Sequence, residues 1–252
     1  MLLENKNAVI YGAGGSIGRA VARAFAREGA AVFLTGRTLS KLEAVADEIR
    51  SAGGVAETAE VDALDGEAVD EHADAMAAKA GSIDASLNVI QHGDVQGTPM
   101  HEMRLGDFAR PVETAVRTNF LTWRAAARHM VRQGSGVILA FGGEGDPLRG
   151  YNLGGLQVAF HAIEAMRRQL SSELGPRGVR VVTMRTGGVP ESLPEGFPGR
   201  EEIVEKAILN HTMLGRAATL EDVGNVAAFV ASDQARTMTA ATVNISCGAL
   251  ID

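Results

Sequence analysis

Short runs of β-branched and aliphatic residues alternate along this chain with longer stretches whose apolar residues repeat at a helical period. Parallel strands can be joined only through a crossover, usually a helix, so this alternation points to βαβ units on a parallel sheet. Asn7 to Tyr11, Ala31 to Thr35, Val55 to Glu60, Ala85 to Ile90, Gly136 to Phe141, Val179 to Arg185 and Thr242 to Ser246 read as seven strands. Helical stretches fall near residues 16–28, 39–51, 66–80, 105–133, 155–174 and 219–231. The last opens on Thr219 with Asp222 three positions on, a capping pattern. Right-handed crossovers would wind these helices onto both faces of a single seven-stranded parallel sheet, a doubly wound α/β fold.

The 252 residues contain no repeat, low-complexity tract or linker, so one domain over residues 1–252 is expected. A domain of that size buries roughly 70 to 75% of its unfolded surface and needs no disulfide or structural metal. The single Cys247 offers neither an internal disulfide nor a cysteine zinc site. The opening Met1-Leu2-Leu3-Glu4-Asn5-Lys6 lacks the features of a signal peptide, and no apolar run approaches the roughly 20 residues that cross a bilayer. A cytoplasmic location without membrane attachment is expected. A net charge of −7, with acidic and basic residues interspersed, argues against nucleic acid as a partner. The one long irregular segment, Thr186 to Arg200, is rich in Gly and Pro, and residues 186–211 are expected to form a substrate loop or lid.

The first strand runs into Tyr11-Gly12-Ala13-Gly14-Gly15-Ser16-Ile17-Gly18, a glycine-rich turn opening a helix. Glycines let backbone turn tightly against a pyrophosphate, and the free N–H groups at a helix start attract its charge. Gly12, Gly14, Ser16, Ile17 and Gly18 are therefore candidate cofactor contacts, the alternative being a plain β–α connection. The second strand ends in Arg37, where an acidic residue would favour NAD and an arginine can pair with a 2′-phosphate. NADP(H) is accordingly expected over NAD(H), the alternative being that Arg37 caps a solvated loop.

The turn resembles the ThrGlyxxxGlyxGly pattern of the short-chain dehydrogenase/reductase family, with Gly12 and Gly18 matching, Tyr11 in place of Thr and Ser16 in place of the middle Gly. Val61-Asp62-Ala63 resembles the family segment that binds adenine, which makes Asp62 and Ala63 candidates. Asn88 is the one matching residue of the family's AsnAsnAlaGly, and Asn119 matches the Asn of the fourth helix. Leu170 to Val181, and Leu214-Gly215-Arg216 through Ala231-Ser232-Asp233, match later segments, so the resemblance covers nearly the whole chain. Thr186 to Glu191 resembles the ProGly segment beside the nicotinamide, which adds Gly187 and Val189, although Thr186 replaces the Pro and Glu191 stands where a Thr often contacts the carboxamide. The resemblance implies a Rossmann fold, NAD(P)-dependent oxidoreduction, and a homodimer or homotetramer formed through the helices near 105–133 and 155–174.

In that family a Tyr and a Lys sit four apart on the fifth helix, on one face. The ammonium favours the phenolate, which makes a group with an ordinary pKa of about 10 a workable proton carrier. The register fixed by Glu173-Leu174 places these positions at Leu156 and Phe160, and the family's Ser region reads Ala140-Phe141-Gly142-Gly143. No other pair can stand in, because the only tyrosines, Tyr11 and Tyr151, have Gly15 and Gly155 four residues on, and no Lys lies between 79 and 206. Candidate polar groups are then Asn119, Tyr151 just before the fifth helix, and His92 just after the fourth strand. Arg185 and Arg149 could add positive charge, while His161 is turned about 100° round the helix from Phe160. His72, His101, His129 and His211 lack metal-ligand spacing, so no metal is expected.

Three readings follow. The chain is an atypical NADP-dependent oxidoreductase acting on a small molecule, a catalytically silent cofactor sensor or assembly protein, or a scaffold that has lost the cofactor as well.

Overall fold

The computed structural model describes residues 1–142, 152–197 and 199–251. In chain order it builds β1 (Asn7–Tyr11), α1 (Ser16–Arg27), β2 (Ala31–Gly36), α2 (Leu39–Ser51), β3 (Val55–Glu60), α3 (Gly66–Ala80), β4 (Ala85–Asn88), α4 (Leu105–Gln133), β5 (Gly136–Gly142), α5 (Gly155–Leu174), β6 (Val179–Arg185), α6 (Arg200–Glu202), α7 (Leu220–Ala231) and β7 (Ala241–Asn244). The strands form one parallel seven-stranded sheet in the order β3-β2-β1-β4-β5-β6-β7. The order reverses between β1 and β4, the switch point at which doubly wound sheets open a ligand crevice.

Both faces of the sheet are covered, which explains why its central strands read as nearly continuous apolar runs. Successive residues of a strand point to opposite faces. Thus Ala8 and Ile10 join Leu34, Leu139 and the apolar sides of α1, α2 and α7, whereas Val9 and Tyr11 join Ile138, Trp123 and the apolar sides of α3, α4 and α5. Ile10, Leu34 and Leu139 are fully buried, and each side chain of that kind contributes roughly 1.5–3 kcal/mol. A buried polar knot ties α5 to the sheet. Glu164 accepts from Arg167 Nη2 at 2.8 Å and Nε at 3.0 Å, and also from the Thr183 hydroxyl of β6.

Several boundaries move from their expected places. β4 stops at Asn88, two residues short of Ile90, because Asn88 Oδ1 accepts the Ile90 N–H at 3.0 Å and replaces the ladder. β7 begins one residue earlier, at Ala241, and ends at Asn244 in the same way, with Asn244 Oδ1 accepting the Ser246 N–H at 3.1 Å. Thr219 is the N-cap of α7 and forms a capping box with Asp222. The segment from 186 to 211 is more regular than a loop. It carries three-ten turns at Pro190–Ser192 and Leu209–His211, α6, and a π-helical stretch, Ile203–Ile208, between α6 and the second turn. Gly188 (φ +115°) lets Ile208 pack against it, since an added Cβ would lie 2.9 Å from Ile208 Cγ1. Among the described residues no helix is long and apolar enough to cross a membrane.

Candidate functional site

The glycine-rich turn owes its shape to two positions. Gly12 has φ +86°, and a Cβ there would come within 2.9 Å of the Val89 carbonyl oxygen at the end of β4. A Cβ on Gly18 would collide with the Gly12 carbonyl oxygen and lie 2.8 Å from Ala13 Cα. The first turn of α1 therefore presses directly on the loop. No side chain caps α1, so the N–H groups of Ser16, Ile17 and Gly18 lack the usual side-chain partner at the positive end of the helix. A bare-backbone cradle at an uncapped helix start fits a pyrophosphate.

A cleft of about 450 Å³ opens beside this turn, over the tips of β1, β2 and β4. It brings together Gly12, Gly14, Arg37, Asp62, Ala63 and His92 from the expected set. Asp62 sits at the rim, where its Oδ1 accepts the Leu64 N–H at 3.0 Å. Arg37 is exposed at the same rim. Ser16, Ile17 and Gly18 stand beside the cleft on α1, and Ser16 also borders a second groove of about 650 Å³ between α1 and α7. That groove contains neither Arg37 nor Asp62, but Gly14 and Gly15 of the glycine turn line it as well as the cleft.

Asn88 is buried beneath the cleft, donating to the Thr122 hydroxyl at 3.2 Å and accepting from Ile90 N–H. Asn119 is buried within α4, where its Nδ2 donates to the Ala115 carbonyl at 2.9 Å. Gly187 and Val189 follow β6, with Val189 packed into the core and Gly187 against Ala249 and Ser246. Glu191 accepts the Leu220 N–H at 2.7 Å, which holds this segment to the first turn of α7. Leu156 and Phe160 are half-buried on α5. Tyr151, Arg149 and Gly143 lie outside the described residues.

At the inner end of the cleft His92 meets Phe160 edge to face. Burial pulls the His92 imidazole below its ordinary pKa, partly opposed by Asp94, so it is held neutral. Tyr11 contributes no proton carrier. Its side chain faces α3, burial pushes its hydroxyl well above the usual tyrosine value, the Asp70 charge adds to that, and its nearest ring is His72 at 6.5 Å.

The cleft-lining residues that sequence reasoning passed over include Lys41, Arg110, Thr114 and Thr118. The last three are spaced four apart on α4, a polar stripe on one helix face. Lys41 follows Arg37 by four residues and lies beneath the turn, where a Cβ on Gly14 would approach Lys41 Cβ to 3.0 Å. No group of three or more His, Cys, Asp or Glu among the described residues could hold a metal ion.

Residues 12–249 match the family described as Enoyl-(Acyl carrier protein) reductase. The chain is 27% identical over 246 residues to a 7alpha-hydroxysteroid dehydrogenase of Escherichia coli (strain K12), covering 98% of this chain and 94% of the relative. It is 30% identical over 251 residues to an uncharacterized oxidoreductase of Methylorubrum extorquens, covering 98% of each. A short-chain dehydrogenase/reductase from Serratia marcescens superposes with a TM-score of 0.88 at 25% identity, covering 100% of both chains. With the order of its strands, the glycine turn and this match over nearly its full length, the chain belongs to the short-chain dehydrogenase/reductase family of NAD(P)-binding oxidoreductases.

Proposed function

We propose that this chain is an NADP(H)-dependent oxidoreductase that works without the family's Tyr and Lys, with His92 moving the proton. The observation that carries the reading is one cleft with the cations Arg37 and Lys41 at its outer rim and a neutral His92, backed by Phe160, at its inner end. Arg37 and Lys41 suit a 2′-phosphate, and the Asp62 carboxylate suits adenine. A bound nicotinamide cofactor supplies the hydride. The chain's own residues hold the adenosine end, present the apolar Leu156 and Phe160 beside the reacting ring, and manage one proton. A neutral imidazole can release its N–H proton to a nascent alkoxide while its other nitrogen takes one from water, which makes His92 a relay. Tyr151 is retained as a hydrogen-bond donor to the substrate.

The test is consumption of NADPH, followed by absorbance, with a panel of ketones, aldehydes and activated alkenes. Turnover that falls at least tenfold in His92→Ala supports the reading. Binding of NADPH without turnover of any substrate sinks it and favours a silent cofactor sensor, a reading to which the apolar Leu156 and Phe160 also lend support.

Assembly through α4 and α5 belongs to the same proposal. These helices leave Leu105, Phe120 and Val158 exposed, and Arg124 lies over the Phe120 ring at 5.9 Å. Light scattering should report a dimer or tetramer that a Phe120→Asp, Val158→Asp double variant dissociates.

A further inference from the structure

A dinucleotide bound to a doubly wound sheet straddles the point where the strand order reverses. Here that point lies between β1 and β4, and Arg37, Lys41 and Asp62 stand on the β2 side of it. The second nucleoside half must therefore lie over the C-terminal tips of β4, β5 and β6. From α5 that region receives Leu156 and Phe160, which offer no polar group.

A cation leaves the sheet on that side. Arg185 is the last residue of β6 and is only 7% exposed. Its direction follows from register and pleat, since paired residues of neighbouring parallel strands share a face. Arg185 pairs with Gly142 of β5, and a Cβ built on Gly142 would lie 3.7 Å from Phe160 Cδ1 and 3.8 Å from Thr183 Cγ2. Thr183, two residues earlier on β6 and so on the same face, donates to Glu164 of α5. Helix α5 runs antiparallel to the strands, so Phe160 lies one turn nearer the tips than Glu164, just as Arg185 lies one pleat nearer than Thr183. Arg185 thus leaves the sheet toward α5 at the level of Phe160.

We infer that Arg185 is a cofactor-binding residue, its guanidinium donating to the hydroxyls of the second ribose and so holding the nicotinamide half over the tips of β5 and β6. A guanidinium stays charged at every accessible pH and presents five N–H donors in a fixed fork, which suits paired oxygens. The role is one of holding. The inference rests on the reading of this chain as a nicotinamide dinucleotide binder.

The test titrates the full chain and Arg185→Gln with NADPH, and with adenosine 2′,5′-bisphosphate, which lacks the nicotinamide half. Calorimetry reads affinity, and reduced-nicotinamide fluorescence reads where the ring sits. The expected result is NADPH binding weakened about tenfold or more in Arg185→Gln, with the bisphosphate within twofold of the native chain. Unchanged NADPH affinity beside intact bisphosphate binding overturns the inference and leaves the cofactor reading standing. A native chain that binds neither NADPH nor NADH overturns both. Should Arg185→Gln fail to fold, Arg185→Met takes its place; if neither variant folds, Arg185 is a scaffold residue and the inference falls.

Discussion

The ring of Phe160 meets the imidazole of His92 at a centroid distance of 6.0 Å with the planes inclined at 66°. An edge-to-face pair of this kind contributes about 0.5–1.5 kcal/mol beyond its buried area, and here it covers one side of the imidazole. Phe160→Ala should admit water, and the His92 pKa should rise toward its ordinary value of 6.5. Titration of the His92 ring by NMR checks this. An unmoved midpoint would mean that Phe160 does not set the protonation of His92.

Burial depresses His72 as well as His92. In the native state both bind protons more weakly than in the unfolded chain, where a histidine titrates near 6.5. Between the depressed values and about 6.5 the unfolded chain therefore holds more protons, so stability rises with pH. It is fully present above pH 6.5 and is lost as pH falls through that window. The urea midpoint should drop between pH 7 and pH 5, and a His72→Gln, His92→Gln double variant should show a flatter profile. Asp74 and Asp222 are held low by hydrogen bonds, chiefly to His129 and to the Thr219 backbone, and shape the profile only in more acid solution.

Arg37 and Lys41 occupy the outer rim of one cleft. If they clasp a 2′-phosphate, an Arg37→Ala, Lys41→Ala double variant should bind NADP about 10- to 100-fold more weakly, since a charge-assisted hydrogen bond is worth roughly 1.5–3 kcal/mol. Affinity for NAD should stay within a few-fold. Calorimetry with both cofactors reads the difference, and equal losses for the two would remove the phosphate from the account.

Glu164 and Arg167 form an ion pair with side chains only 6% and 4% exposed. Removing one partner of such a pair strands the other charge, so Arg167→Met should destabilise the fold by about 3–5 kcal/mol. Glu164→Leu combined with Arg167→Met removes both charges and should recover most of that loss. Denaturant melts of the two variants decide it, and a double variant as unstable as the single would show that the pair is not acting through its charge.

The centre of the sheet was legible because β1, β2, β4, β5 and β6 are runs buried on two faces, a pattern carried by residue type alone. The ends of β4 and β7 were not, because Asn88 and Asn244 each turn their own side chain onto the backbone two residues on, and that choice is invisible until the neighbouring strand is in place. At the site, Gly12 and Gly18 could be read from their spacing, and the cleft gathers Arg37, Asp62 and His92 as well. Lys41 was missed because a lysine at an exposed position on the first turn of a helix looks like any solvated charge. Arg110, Thr114 and Thr118 were missed for another reason: their common face gains meaning only once α4 is seen to border the cleft. Asn88, a candidate contact by resemblance, lies under the cleft with its amide occupied by Thr122 and Ile90.

The interlocking of Gly12 and Gly18 has a thermodynamic corollary. Two stretches of backbone already in contact have almost no conformational freedom left to lose, so the turn is preorganised for whatever anion it receives. The entropy of association then falls on the incoming molecule and its hydration shell, and a bulkier residue at either glycine would weaken binding by disordering the receptor before any ligand arrives.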